Sequence, residues 1–111
     1  PGGIFAVKAA KAKQKEAQYK RMEAEELIEL QVNKLSCELE LAYKRLDEAE
    51  SNIDMANKNL ELADESFKAG LCNSSDVMAA QTAWMQARSE AIDAHLDIEI
   101  NTVYLKQALG K

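Results

Sequence analysis

Residues 28–67 read IELQVNKLSCELELAYKRLDEAESNIDMANKNLELADESF, and apolar side chains recur there at alternating steps of four and three. The series is Ile28, Val32, Leu35, Leu39, Ala42, Leu46, Ala49, Ile53, Ala56, Leu60, Ala63 and Phe67. Beyond Gly70 a second series does the same, through Val77, Ala80, Trp84, Ala87, Ala91, Ala94, Ile98, Asn101, Leu105 and Ala108. Such steps average about 3.5 residues, the period at which a helix keeps one seam facing a partner helix. Two seams joined by one short loop predict an all-α fold, a long antiparallel two-helix coiled-coil hairpin.

The seams also predict their own register. Folding back around residue 72 pairs positions whose numbers sum to 143 or 144. Phe67 then meets Val77, Leu60 meets Trp84, Ile53 meets Ala91, Leu46 meets Ile98 and Leu39 meets Leu105. Alanines meet at Ala56/Ala87 and Ala49/Ala94, so large layers alternate with small ones and the helices can approach closely. A large apolar side chain contributes about 1.5–3 kcal/mol when fully buried, and the register is expected to hold several such terms.

Punctuation residues set the arms. Pro1, Gly2 and Gly3 read as turn or strand-exit residues, and no glycine or proline follows until Gly70. The first helix is expected over about 4–69 and the second over about 74–109. Gly70 suits the left-handed conformation just past a helix end. Leu71 to Ser75 supply the turn, and Asn73 with Asp76 three residues on has the pattern of a capping box. The arms are unequal. Residues 35–109 pair as a hairpin, while 4–34 overhang with Phe5, Val7, Ala9, Ala10, Ala17, Ala24 and Leu27, and are expected to pack against another segment or subunit.

Composition agrees with one elongated helical domain: 30% of residues are charged, 5% are aromatic and one is proline. Net charge is −5, unevenly placed: residues 1–21 hold six Lys/Arg and one Glu, and the remainder eight against eighteen Asp/Glu. The basic end interleaves Lys8, Lys11, Lys13 and Lys15 with alanines and lacks aromatic stacking residues. That is the pattern of a solvated helix face, and no nucleic-acid partner is expected. Cys37 and Cys72 are about 50 Å apart along a helix and do not meet in the hairpin register, so no intrachain disulfide is expected. No signal peptide and no apolar run of membrane-spanning length is present.

The sequence offers no chemistry of the usual kinds. It has no phosphate-binding glycine loop, nucleophile elbow or Cys/His zinc spacing, and neither an enzyme nor a cofactor is expected. His95 lacks the glutamate three residues before it that a di-metal bundle uses, since that position is Ile92. No metal site is expected. Trp84 in the seam reads as packing. Asp76, one residue before the second seam, admits two readings: a helix cap, or a charge displayed at the hairpin's end.

The loop and its flanks resemble the outer-membrane efflux protein family, the TolC-like exit ducts of Gram-negative bacteria. The resemblance runs through Pro1-Gly2-Gly3 with Ala9, Ala10 and Ala17, then Asn59 to Ala63 and Phe67-Lys68-Ala69-Gly70-Leu71. It continues through Ser75-Asp76-Val77-Met78-Ala79-Ala80-Gln81, Arg88 and Leu105 to Gly110. It implies a periplasmic helical hairpin, one fragment spanning residues 1–111 of a larger duct. That duct is a homotrimer exporting small molecules, with a periplasmic adaptor and an inner-membrane transporter as partners. Membrane contact is expected only through β-strands that these residues lack. The resemblance implies a tip turn and adaptor contact at Gly70, Leu71, Cys72, Asn73, Ser74 and Ser75, and an acidic entrance ring at Asp76. Some members carry a second acid three residues on, where this chain has Ala79. Two further readings stay open on the sequence alone: the coiled-coil hairpin of a periplasmic adaptor, and a cytoplasmic scaffold coiled coil.

Overall fold

The computed structural model describes residues 2–111. Two helices, α1 (Gly2–Lys68) and α2 (Ser74–Ala108), form a rod of 103 × 20 × 14 Å. They run antiparallel, because Arg45 reaches Asp97 while Glu50 reaches His95. The fold is the long helical hairpin with unequal arms that the two series predict.

α1 starts earlier than the glycines suggest. Gly2 and Gly3 are its first residues instead of a turn or strand exit, and Pro1 lies outside the described residues. A helix's first turn has no intrahelical partner for its N–H groups, so glycine loses little packing there. At the other end α1 stops as expected. Gly70 takes φ +77°, Leu71 N–H donates to Ser66 C=O at 2.8 Å and Gly70 N–H donates to Phe67 C=O at 3.0 Å. These two hydrogen bonds close the last turn and satisfy carbonyls that the helix leaves unpaired. The same arrangement ends α2 at Gly110, φ +76°, with Lys111 N–H on Lys106 C=O and Gly110 N–H on Gln107 C=O.

The core between the helices is made of small side chains. Ala42, Ala49, Ala56, Ala87, Ala91 and Ala94 are buried, joined by one polar residue, Asn101. Ala49, Ala91 and Ala94 cluster, with Leu46 and Ile53 packed against them. Among the described residues no large side chain is fully buried, which corrects the expectation of several full burial terms. A single layer of two helices covers only the inward side of a leucine, so each large seam residue gains part of the 1.5–3 kcal/mol that complete burial supplies. Alanine fits wholly inside because its one methyl ends where the partner backbone begins.

Asn101 sits in the seam opposite Ala42, which is 0% exposed. Its amide donates to the Asp97 carbonyl at 2.8 Å and to Asp97 Oδ1 at 3.2 Å, while Asp97 Oδ2 accepts from Arg45 Nη1 at 3.3 Å. The buried amide is thereby linked to a charge on the opposite helix, and a polar residue held at one seam position disfavours slipped registers.

Candidate functional site at the hairpin tip

The tip is built by the end of α1, five connecting residues and the first turn of α2. Asn73 is the N-cap of α2, with extended backbone. Its Oδ1 accepts from Asp76 N–H at 3.0 Å, and Asp76 Oδ2 accepts from Asn73 N–H at 3.1 Å. Ser75 Oγ donates to the same Asn73 Oδ1 at 2.8 Å. This reciprocal capping box satisfies two donors that would otherwise lack partners. The Asp76 charge also lies in the first turn, where the helix dipole favours an anion. Asp76 is exposed, so the capping and displayed-charge readings meet in one residue.

The structure divides the six tip residues between two elements. Gly70, Leu71, Cys72 and Asn73 form the connection, whereas Ser74 and Ser75 already belong to α2. Leu71 is 81% exposed, so the turn displays an apolar side chain at the tip, held by tight backbone bonds. Cys72 turns the other way: half-buried, its thiol donates to the Ala63 carbonyl at 3.5 Å. Both cysteines are free.

Behind the tip, Val77, Trp84, Ile98 and Leu105 on α2, and Leu46, Ile53 and Leu60 on α1, are half-buried. Phe67 departs from the series. It is 47% exposed, and the half-buried position after Ala63 is Ser66. The bond from Leu71 to the Ser66 carbonyl brings the returning chain over Ser66 and turns Phe67 outward.

The sequence reading missed two features. Arg88 lies with its guanidinium carbon 5.4 Å from the centre of the Trp84 ring, a cation–π arrangement that the spacing of four makes readable in retrospect. The Trp84 indole N–H is buried without an acceptor. No sequence signal marks that, because it depends on which backbone groups the facing helix offers. His95, set aside as a metal ligand, lies 3.8 Å from Glu50 Oε1 on the opposite helix. Among the described residues no group of three or more His, Cys, Asp or Glu could hold a metal. An open groove of about 650 Å³ lies beside the alanine layer, away from the tip, with Arg45, Glu48, Asn52, Asp93 and Asp97 in its lining.

The profile of the family described as outer membrane efflux protein matches residues 5–111, taking in overhang, seam and tip together. The chain belongs to the outer membrane efflux protein family. No curated protein and no solved structure matches it. Membership sets aside the adaptor and cytoplasmic coiled-coil readings, and the family is one of transport ducts, not of enzymes. Neither helix is long and apolar enough to cross a membrane. The efflux protein's hairpin is thus a helical element of an outer-membrane efflux component.

Proposed function

We propose that this hairpin is part of the periplasmic tunnel of a homotrimeric outer-membrane duct in a Gram-negative bacterium. The observation that carries the reading is the family match across a rod 103 Å long with its turn at one end. A rod of that reach suits a wall element spanning a compartment better than a binding module. Small molecules pass along the tunnel, and membrane contact falls to β-strands outside these residues.

The tip is the partner-facing end. Leu71 with Gly70, Cys72, Asn73, Ser74 and Ser75 supplies the contact for a periplasmic adaptor, which connects the duct to an inner-membrane transporter. Threefold symmetry turns Asp76 into a ring of three carboxylates at the entrance. Unit charges about 4 Å apart repel by about 4 kcal/mol at an effective dielectric of 20, and by less when farther apart and hydrated. Such a ring attracts cations and must be spread or neutralised for passage. With Ala79 where a second acid could stand, the ring holds one carboxylate per chain.

The test is complementation. The complete gene product, with its adaptor and transporter, is expressed in cells lacking an exit duct, and accumulation of a fluorescent efflux substrate is followed. Accumulation should fall with the native protein and recover when residues 69–73 are replaced by a Gly-Ser turn of equal length. Unchanged accumulation with the native protein rules the reading out.

A further inference from the structure

The end of α1 farthest from the tip is strongly basic. Six of the first 21 residues are Lys or Arg and one, Glu16, is acidic, whereas residues 22–31 hold Glu23, Glu25, Glu26 and Glu29 and no Lys or Arg. Residues 2–31 are all exposed. Among the described residues Lys20 is the one of these six cations with a carboxylate in ion-pair reach, Glu16 Oε1 at 3.6 Å. Lys8, Lys11, Lys13, Lys15 and Arg21 thus point their charge at solvent. No acidic side chain occupies the first turn of α1, so the positive end of the helix dipole adds to the same field.

Apolar groups stand beside these cations. Ile4, Phe5 and Val7 are 63%, 71% and 55% exposed. Ile4, Val7, Lys8 and Lys11 share one face with Gly3 and line a shallow open recess of about 520 Å³. Lys15 continues that face, four residues after Lys11. Along the helix the order is apolar first and cationic next: Ile4 to Val7 at the extreme end, then Lys8 to Lys15 over the following ~10 Å. A helix end entering a lipid leaflet meets it in that order, with apolar side chains at the acyl boundary and ammonium groups among the phosphates.

The charge asymmetry also orients the rod. Residues 22–111 carry eight Lys/Arg against eighteen Asp/Glu, so an anionic surface that attracts residues 2–21 repels everything beyond them. The four glutamates of residues 22–31 begin the repelled part and limit the contact to the first turns. The rod therefore stands on its basic end, with the tip at the other end of its 103 Å length. The family is one of outer membrane proteins, which puts a bilayer within reach of that end. A nucleic-acid site would add stacking or base-reading groups that these lysines lack. A headgroup layer needs only positive charge and a few apolar anchors.

We infer that the first turns of α1 rest on the surface of an anionic phospholipid leaflet, with Ile4, Phe5 and Val7 at the acyl boundary, Lys8, Lys11 and Lys15 on the phosphates, and the rod upright. The inference goes beyond the duct reading, which leaves crossing of the membrane to strands outside these residues, and adds a contact with its headgroups. It rests on that reading only for which leaflet is touched, the periplasmic face of the outer membrane.

The test uses the 111-residue chain and vesicles of phosphatidylcholine alone or with a third of it replaced by phosphatidylglycerol. Binding is expected to be at least tenfold tighter on the mixed vesicles and to be lost in high salt. A lysine near an anionic surface is worth about fivefold in affinity, so Lys8→Gln, Lys11→Gln and Lys15→Gln together should weaken binding at least tenfold. Lys34→Gln, Lys58→Gln and Lys68→Gln together change the charge equally and should leave binding within about twofold, with helicity of both variants checked by circular dichroism. Phe5→Trp in a Trp84→Phe chain should be quenched by brominated acyl chains, while the native Trp84, about 80 Å away along the rod, should not. Equal affinity for both vesicle types, equal losses from the two lysine triples, or equal quenching at both tryptophan positions overturns the inference. No binding to either vesicle also overturns it and leaves an acidic protein surface as the occupant. The complementation assay is independent: efflux without vesicle binding removes the lipid contact and keeps the duct, and vesicle binding without efflux does the reverse.

Discussion

Two residues at the tip have separable physical roles. Gly70 is there for its backbone: φ is +77°, and nothing lies within 4 Å of where a Cβ would stand. Gly70→Ala therefore meets no steric neighbour, and its cost is the left-handed conformation alone, about 1–2 kcal/mol. Chemical denaturation should show a lowered midpoint with an unchanged slope. Asp76 is there for a bond and a charge. Asp76→Asn keeps an acceptor for the Asn73 N–H and loses only the charge–dipole attraction, about 0.3–1 kcal/mol. The same substitution in the complete duct should raise leak conductance and weaken block by a trivalent cation, measured on single channels in planar bilayers. Identical conductance and block would leave Asp76 with capping as its whole role. The capping box was readable from Asn73 and Asp76 at their spacing. The outward turn of Phe67 was not, because a period cannot report that Ser66 becomes the anchor of the closing bond.

At the scale of the helix pair, the alanine layers set how closely the helices lie. Ala49 touches Ala91 and Ala94, so a larger side chain there must force the helices apart or leave its rotamer. Ala49→Leu should destabilise the hairpin by about 1–3 kcal/mol in thermal unfolding, even though leucine is as good a helix former. A neutral or stabilising result would mean that the helices separate freely and the alanines do not set the spacing. The Arg45–Asp97 pair is largely exposed on the arginine side. Its removal by Arg45→Ala should cost at most about 1 kcal/mol. The alternation of large and small layers was legible in the sequence. The incomplete burial of every large residue was not, since periodicity reports direction and not coverage.

Across the whole molecule the inequality of the arms dominates. α2 ends at Ala108, opposite Leu35, and Val32 is the first half-buried residue of α1. Ile28 continues the apolar series yet is exposed, because the series outlasts the partner helix. Residues 2–31 thus receive no support from α2. Removing them should leave the melting of the remaining hairpin within a few degrees of the intact chain, with helical signal lost in proportion to the residues removed. A collapse of the hairpin on truncation would show that the overhang stabilises the paired region from a distance. The intact chain, with apolar rows on the overhang and on both flanks, should associate with rising concentration in sedimentation experiments.

Some of this protein is written in local pattern. The 3.5-residue period, Gly70 between the two series, and the Asn73/Asp76 cap act over a few residues along the chain, so they determine two helices, their turn and the apolar face each turns to its partner. Tertiary structure decided what depends on contact across the pair. Among the described residues it made alanines the buried apolar ones, tied Asn101 through Asp97 to Arg45, laid Arg88 over Trp84, and left Met55, Leu62, Met78, Met85 and Ile92 open. The physical reason is that a side chain's direction follows from its position in a helix, whereas its burial depends on how much of the partner stands in that direction.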